Sequence, residues 1–251
     1  MSHFLILLAL RDEGGEHRRH IDSAGTIEGG DVTPDRPLRY LVAVITAVLN
    51  KVDSLPLHSR TPIDWGRAAL VNPIPLLVDH AFLEKKAANN AMELMTQWPN
   101  EWFPGWVETM TGVARDEAAH LAQVVRLLMR RGGRLDRNHR NPYANALRLL
   151  VRRGEPEIVD RLLVSALIEA RSCERFAVLA AAAEDLELSA FYDALFSSEL
   201  GHYKVFLKLA YKIGPRGIVE ARWQQMLAAE ARILADQAPG PRIHSGLAVQ
   251  P

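Results

Sequence analysis

Cysteine is close to absent. Cys173 is the single one in 251 residues, which excludes an internal disulfide framework, a CxxC redox pair and an iron–sulfur cluster held by this chain alone. Net charge is absent too: 30 basic residues balance 30 acidic ones, so any pull towards nucleic acid must come from a local patch. Long apolar runs are missing. Phe4–Leu10 and Leu41–Leu49 fall well below the roughly 18–20 residues that a membrane span requires. The first of them lacks a basic start and a small-residue cleavage site, and reads as part of an irregular extension rather than a signal. Aromatics are few at 7%, yet 48% of the chain is apolar, enough for a sizeable core and too much for a wholly disordered protein. These absences describe a cytoplasmic protein of one domain with appendages and no membrane partner.

Strand-like alternation is also missing, and helical periodicity takes its place. Residues 1–37 mix Gly, His, Arg and Asp without a period and read as a loosely ordered extension. A short apolar helix fits 38–50. Thr61-Pro62-Ile63 reads as a helix start, with Thr61 as the N-cap and proline at the first helical position. Proline-free interiors rich in Ala, Leu, Glu and Arg predict helices over 75–97, 104–131, 156–184 and 187–213. A short helix is expected over 142–152 and a fifth long one over 217–235. Four long helices in succession, the second joined to the third by a connection long enough to cross the bundle, predict an all-α four-helix bundle with additional short helices. The domain plan is an N-terminal extension over 1–50, the bundle with its flanking helices over 51–237, and a Pro/Gly-containing tail over 238–251.

Two ExxH pairs stand out, Glu117/His120 on the second long helix and Glu199/His202 on the fourth. Residues three apart on a helix share a face and can converge on one metal ion. One such pair alone is a weak signal. The other two helices strengthen it. Glu84 lies on the apolar side of the first, with Leu77, Ala81, Ala88 and Ala91, and Glu169 lies on the face of Leu162, Ala166, Cys173 and Phe176 in the third. A carboxylate in such company is costly unless it is paired or bound to a metal. The spacing from Glu84 to Glu117 is 33 residues and from Glu169 to Glu199 is 30, which looks like a duplicated helical hairpin.

One Glu from each of two helices and one ExxH from each of the others is the ligand set of ferritin-like di-iron carboxylate bundles. Four carboxylates can neutralise and bridge two Fe ions while each imidazole fixes a terminal position, leaving room for dioxygen. Glu174, also among apolar neighbours, competes with Glu169 for the third-helix position; the repeat spacing favours Glu169. His80, four residues before Glu84, reads as a half-exposed core histidine, with a role beside the metals as the other reading. Cys173 has no His or Lys within a turn and reads as a small buried residue rather than a nucleophile.

Residues 126–153 carry nine arginines against one acid, Asp136. Arg130, Arg131, Arg134, Arg137 and Arg140 in that run are candidates for phosphate contacts, since guanidinium pairs with phosphate in a two-pronged fashion. A solvated helix end is the alternative.

Several segments resemble one known family. Thr61–Trp65, the run from Leu76 to Ala88, Ala114–His120, Ser198–Tyr203 and above all Ile168-Glu169-Ala170-Arg171-Ser172-Cys173-Glu174-Arg175-Phe176 are similar to the tRNA 2-methylthio-N6-isopentenyladenosine hydroxylases, over about 56–215. Residues 1–50 match nothing in that family, and Gly201 sits inside a helix at a cost near 1 kcal/mol against Ala. The resemblance implies a ferritin-like di-iron monooxygenase that hydroxylates the isopentenyl group of an adenosine beside the tRNA anticodon. Its metal ligands map onto Glu84, Glu117, His120, Glu169, Glu199 and His202. It also implies two Fe ions as cofactor, O2 as co-substrate and an external two-electron donor. With one cysteine in the chain, that donor is a separate reductase or ferredoxin. Two rivals remain at this point: a di-iron oxidase or peroxidase bundle acting on another substrate, and a metal-free helical RNA-binding module.

Overall fold

The computed structural model describes residue 50 and residues 52–97 and 104–247. The expected extension over 1–37 and, apart from Asn50, the expected helix over 38–50 lie outside the described residues, as do 248–251. Among the described residues from Ile63 onward there are seven helices: α1 (Ile63–Leu70), α2 (Pro73–Met95), α3 (Trp106–Arg130), α4 (Pro142–Arg148), α5 (Glu157–Ala182), α6 (Leu186–Ile213) and α7 (Arg216–Ala235). No strand occurs among the described residues.

Local chemistry sets the helix ends. The Asn72 side chain accepts a hydrogen bond from Ile74 N and is followed by proline at the first helical position of α2. Asp185 does the same for α6, accepting from the amides of Glu187 and Leu188. Gly132, at φ 78°, turns the chain at the end of α3, where the amides of Gly132 and Gly133 bond back to the Met129 and Leu128 carbonyls. The short helix α4 stops at Arg148 rather than 152. Asp160 accounts for this, because it draws the Arg152 amide (3.0 Å) and guanidinium (2.9 Å) out of helical register.

The two long hairpins α2/α3 and α5/α6 pack along their lengths to make the four-helix bundle, and α1, α4 and α7 lean on α5. α5 is therefore the central helix, buried from Leu162 to Ala180 except at Ile168. Gly66 lets α1 approach it closely: a Cβ there would stand 2.8 Å from Ala182 Cβ.

A central helix that carries Arg171, Glu174 and Arg175 must satisfy those charges internally. Glu230 of α7 takes Arg171 with both oxygens, at 2.8 and 2.9 Å, and also accepts from the Tyr143 hydroxyl at 2.9 Å. Glu174 contacts Arg171 and accepts from the Thr61 amide and hydroxyl, both at 2.6 Å. Thr61 is thus not the N-cap of α1. That position falls to Pro62, which offers no side-chain bond, because the Thr61 side chain is taken by Glu174.

The stretch read as a tail doubles back after α7. Ile243, His244 and Ser245 are buried. The Ile243 amide donates to Asp79 (2.9 Å), Trp65 Nε1 to Ser245 Oγ (3.0 Å), and Arg175 to the Ser245 carbonyl (2.9 Å). Gly246 closes this return at a point where a Cβ would meet the Gln237 carbonyl oxygen at 1.9 Å, so only glycine fits.

Candidate metal centre

Six buried side chains converge inside the four-helix bundle. Glu84 comes from α2, Glu117 and His120 from α3, Glu169 from α5, and Glu199 and His202 from α6. They form two groups, each with ligand atoms within 4.8 Å of one another: Glu84, Glu117, His120 and Glu199; and Glu117, Glu169, Glu199 and His202. Glu117 and Glu199 belong to both. His120 Nδ1 lies 3.0 Å from Glu199 Oε1 and 3.6 Å from Glu84 Oε2. His202 Nδ1 lies 2.7 Å from Glu117 Oε1 and 3.3 Å from Glu199 Oε2. The i, i+3 spacing brings each histidine beside its own glutamate, and the hairpin packing brings the two pairs face to face, with the imidazole rings 5.9 Å apart.

Four carboxylates out of water cannot all hold their charge alone. Burial raises Glu84, and it raises Glu169 well above the carboxylate range, where the charges of Glu117 and Glu199 push the same way. Glu117 is pushed up to about 7 by burial and by the charge of Glu199. Burial also acts on Glu199, but the imidazoles of His120 and His202 standing beside it outweigh burial and hold that carboxyl low. Burial disfavours the charged imidazoles as well. Their carboxylate partners prevail and lift His120 to about 12 and His202 to about 10. Protons thus offset the negative charge in this cluster, the office that divalent cations fill at such a ligand set.

The donor geometry fits cations better than it fits protons. Glu117 Oε1, His120 Nδ1 and Glu199 Oε1 are buried without a hydrogen-bond partner among the described residues, although each stands within ion-pair distance of a neighbour. Their contacts are close but not angled as hydrogen bonds, as expected of lone pairs aimed at a shared point. Oxygen and imidazole donors in this ratio suit iron. The cluster fits a di-iron site.

The sequence of this chain matches the family of tRNA-(MS2IO6A)-hydroxylases (MiaE) over residues 47–245. The chain belongs to that family. It is 40% identical to a tRNA 2-(methylsulfanyl)-N(6)-isopentenyladenosine(37) hydroxylase of Pseudomonas putida, over 80% of this chain and 97% of that one. A protein of the same name from Salmonella typhimurium is 32% identical, covering 67% of this chain and 61% of its own. Among solved structures, Protein 43 with aldehyde deformylating oxygenase activity from Synechococcus superposes with a TM-score of 0.71 at 34% identity, over 76% of this chain and 96% of that one. Membership makes the chain a tRNA hydroxylase, an oxidoreductase of ferritin-like all-α fold.

Glu174, the competitor for the third-helix position, is not among the six. It faces Thr61 and Arg171 on the opposite side of α5. His80 is not half-exposed but fully buried. Its ring packs 4.8 Å from Phe176 and 5.7 Å from Tyr192, and its Nε2 is 2.6 Å from Glu84 Oε1. Its position four residues before Glu84 is the signal in the sequence that points to this role. Cys173 is buried, and burial pushes its thiol pKa far up, so it is inert.

The arginine run divides. Arg131 pairs with Asp185 and Glu187, and Arg130 contacts Glu187, so the acidic turn before α6 neutralises both. Arg134, Arg137 and Arg140 are exposed, with no ion pair among the described residues. Arg134 and Arg140 line a wide cavity of about 900 Å³ together with Arg242 of the returning segment. A second cavity, of about 470 Å³, lies between α2, α4 and α5 and reaches Glu169.

Proposed function

We propose that this protein hydroxylates the isopentenyl group of 2-methylthio-N6-isopentenyladenosine next to the anticodon of tRNA, with O2 as oxidant. One allylic C–H bond breaks and a C–O bond forms to one atom of dioxygen. The other oxygen atom leaves as water, which takes two electrons and two protons from an external donor. The observation that carries this reading is the pair of four-residue groups sharing Glu117 and Glu199, in a chain of this family.

Two iron ions held by Glu84, Glu117, His120, Glu169, Glu199 and His202 supply the binding and reduction of dioxygen when bound. The chain's own residues do the rest. The shared carboxylates set the separation of the two groups, and Nδ1 of each histidine faces inward at one end. His80 donates from Nε2 to Glu84 and fixes the orientation of that carboxylate. Ala81, Ala114, Ala166 and Phe196, each buried one turn before a cluster glutamate on its own helix, keep bulk water away, so that the oxidant meets only the C–H bond held beside it. Arg134, Arg137 and Arg140 provide free charge for tRNA phosphates. Cys173 is the single thiol and is buried, which leaves electron delivery to a separate reductase or ferredoxin. A tRNA substrate implies work in the cytoplasm.

The test is nucleoside mass analysis of tRNA incubated with iron-loaded protein, O2 and a reducing system. The modified nucleoside should become one oxygen heavier, and labelled O2 rather than labelled water should supply that atom. Oxygen drawn from water would overturn the oxygenase chemistry.

A further inference from the structure

The 470 Å³ cavity between α2, α4 and α5 changes character with depth. Among its lining residues Glu169 and Val164 are buried, and Ala87 and Ile168 are half-buried. A polar pair shares the lining: Asn90 Nδ2 donates to Ser165 Oγ at 2.9 Å, while the Asn90 side-chain carbonyl accepts nothing among the described residues. The rim is cationic. Arg161 and Arg153 there are paired with Glu93 (3.0 Å) and Glu157 (3.1 Å). Arg148 is exposed and has no ion pair among the described residues, and Lys86 meets the imidazole Nδ1 of His139 at 2.8 Å rather than a carboxylate.

Apolar floor, neutral polar wall and cationic rim form a gradient that few ligands match in full. A free hydrocarbon has no use for the rim, and a small anion has none for the floor. A nucleotide within a polynucleotide, bearing an apolar substituent on its base, meets all three levels in order. The volume lies within the range of about 300–1,000 Å³ typical of small-ligand pockets.

We propose that this cavity receives the substrate base turned out of its stack, with Asn90 recognising the adenine edge and Arg148 and Lys86 holding the adjoining phosphate. This rests on the reading of the protein as a tRNA hydroxylase. The isopentenyl chain passes Ala87, Val164 and Ile168 towards Glu169. The free carbonyl of Asn90 accepts from the exocyclic N6–H, and base-edge contacts of this kind are the usual task of asparagine at adenine. His139 connects the two cavities: its Nδ1 contacts Lys86, and the residue itself lines the cavity of Arg134, Arg140 and Arg242. The nucleotides flanking the substrate therefore run across His139 onto those three arginines. Arg130 and Arg131, engaged by Asp185 and Glu187, lie outside this footprint.

The test uses iron-loaded full-length protein and two anticodon stem-loop RNAs, one with the methylthio-isopentenyl adenosine and one with plain adenosine. Wild-type protein should bind the modified RNA more tightly, because the apolar chain fills the floor. Ala87→Phe, at a half-exposed position that tolerates a larger side chain, should erase this preference and the turnover while iron content stays at the wild-type level. Arg148→Glu should weaken both RNAs about tenfold or more and keep the preference. Arg67→Glu, the same charge change on an exposed part of α1, should alter neither. Asn90→Leu should raise KM for the modified RNA. If the preference survives in Ala87→Phe, if Arg148→Glu binds no more weakly than Arg67→Glu, or if Asn90→Leu keeps the wild-type KM, the assignment is overturned. Absence of hydroxylated product with wild-type protein would instead sink the tRNA-hydroxylase reading itself.

Discussion

His80 Nε2 and Glu84 Oε1 stand 2.6 Å apart, one turn of α2 from each other and both buried. Burial holds the imidazole neutral, its pKa lowered to about 4. A carboxylate acceptor requires the proton on Nε2, so His80 orients Glu84 without adding charge to the centre. His80→Phe should keep the fold but loosen metal binding by about 10–100-fold, the usual cost of losing a partner behind a ligand. His80→Gln, which can still donate, should recover part of it. Iron retained after dialysis against a graded series of chelator measures both.

Two carboxylates of α5, five residues apart, should respond in opposite ways. Glu174 belongs to a buried ion-paired network with Arg171 and Thr61, so Glu174→Ala should cost about 3–5 kcal/mol of stability and leave iron content unchanged. Glu169→Ala should lose iron, and the metal-free protein should be at least as stable as wild type, since a burial-strained carboxyl is gone. Thermal melts paired with metal analysis separate the two.

The long-helix architecture and the meeting of the six side chains could be read from periodicity, because a helix of fixed pitch turns sequence spacing directly into a shared face. What periodicity does not carry is the identity of the group across the gap. Thr61 has every local mark of an N-cap, yet its partner is Glu174, 113 residues away. Tyr143 and Arg171 meet on Glu230, 87 and 59 residues distant. The returning segment from 239 to 247 has the composition of a tail, and only the three-dimensional position of Asp79 and Trp65 explains why it is buried. His80 reads as half-exposed because nothing in its own helix tells that it is covered; the rings of Phe176 and Tyr192 that bury it arrive from α5 and α6.

The pH dependence of stability should differ between metal-free and iron-loaded protein. In the metal-free protein Glu84, Glu117 and Glu169 are raised by burial, and His120 and His202 are raised to about 12 and 10 by their carboxylate partners. For groups raised on folding the native state is favoured most below the unfolded pKa and loses ground as pH rises through the folded one. Buried His80, lowered to about 4, works the other way below pH 6.5, so the melting temperature of metal-free protein should fall from about pH 6.5 towards pH 9. Iron-loaded protein, whose ligands are already deprotonated, should not follow that fall. Melts at matched ionic strength check the difference.

Arg134, Arg137 and Arg140 changed together to Ala should lower the magnitude of the salt slope of tRNA binding, by about 0.7–0.9 for each phosphate no longer neutralised. Arg130→Ala, which breaks an ion pair with Glu187, should leave that slope as it is. Binding titrations at several salt concentrations give the answer.

Gly201 lies mid-helix between two members of the cluster, exposed, with nothing within 4 Å of a Cβ built there. Gly201→Ala should stabilise the protein by about 0.5–1 kcal/mol without altering iron content. Denaturant unfolding of the two proteins measures it.

The two groups of the centre lend each other a residue. The α2/α3 hairpin supplies Glu84, Glu117 and His120 and takes Glu199; the α5/α6 hairpin supplies Glu169, Glu199 and His202 and takes Glu117. Neither half completes even one group on its own. During synthesis, with the N-terminal hairpin emerging first, the first group waits for Glu199, far along the chain from Glu117. The centre is thus among the last features a growing chain can assemble, and a chain released before α6 emerges offers iron no finished place to stay.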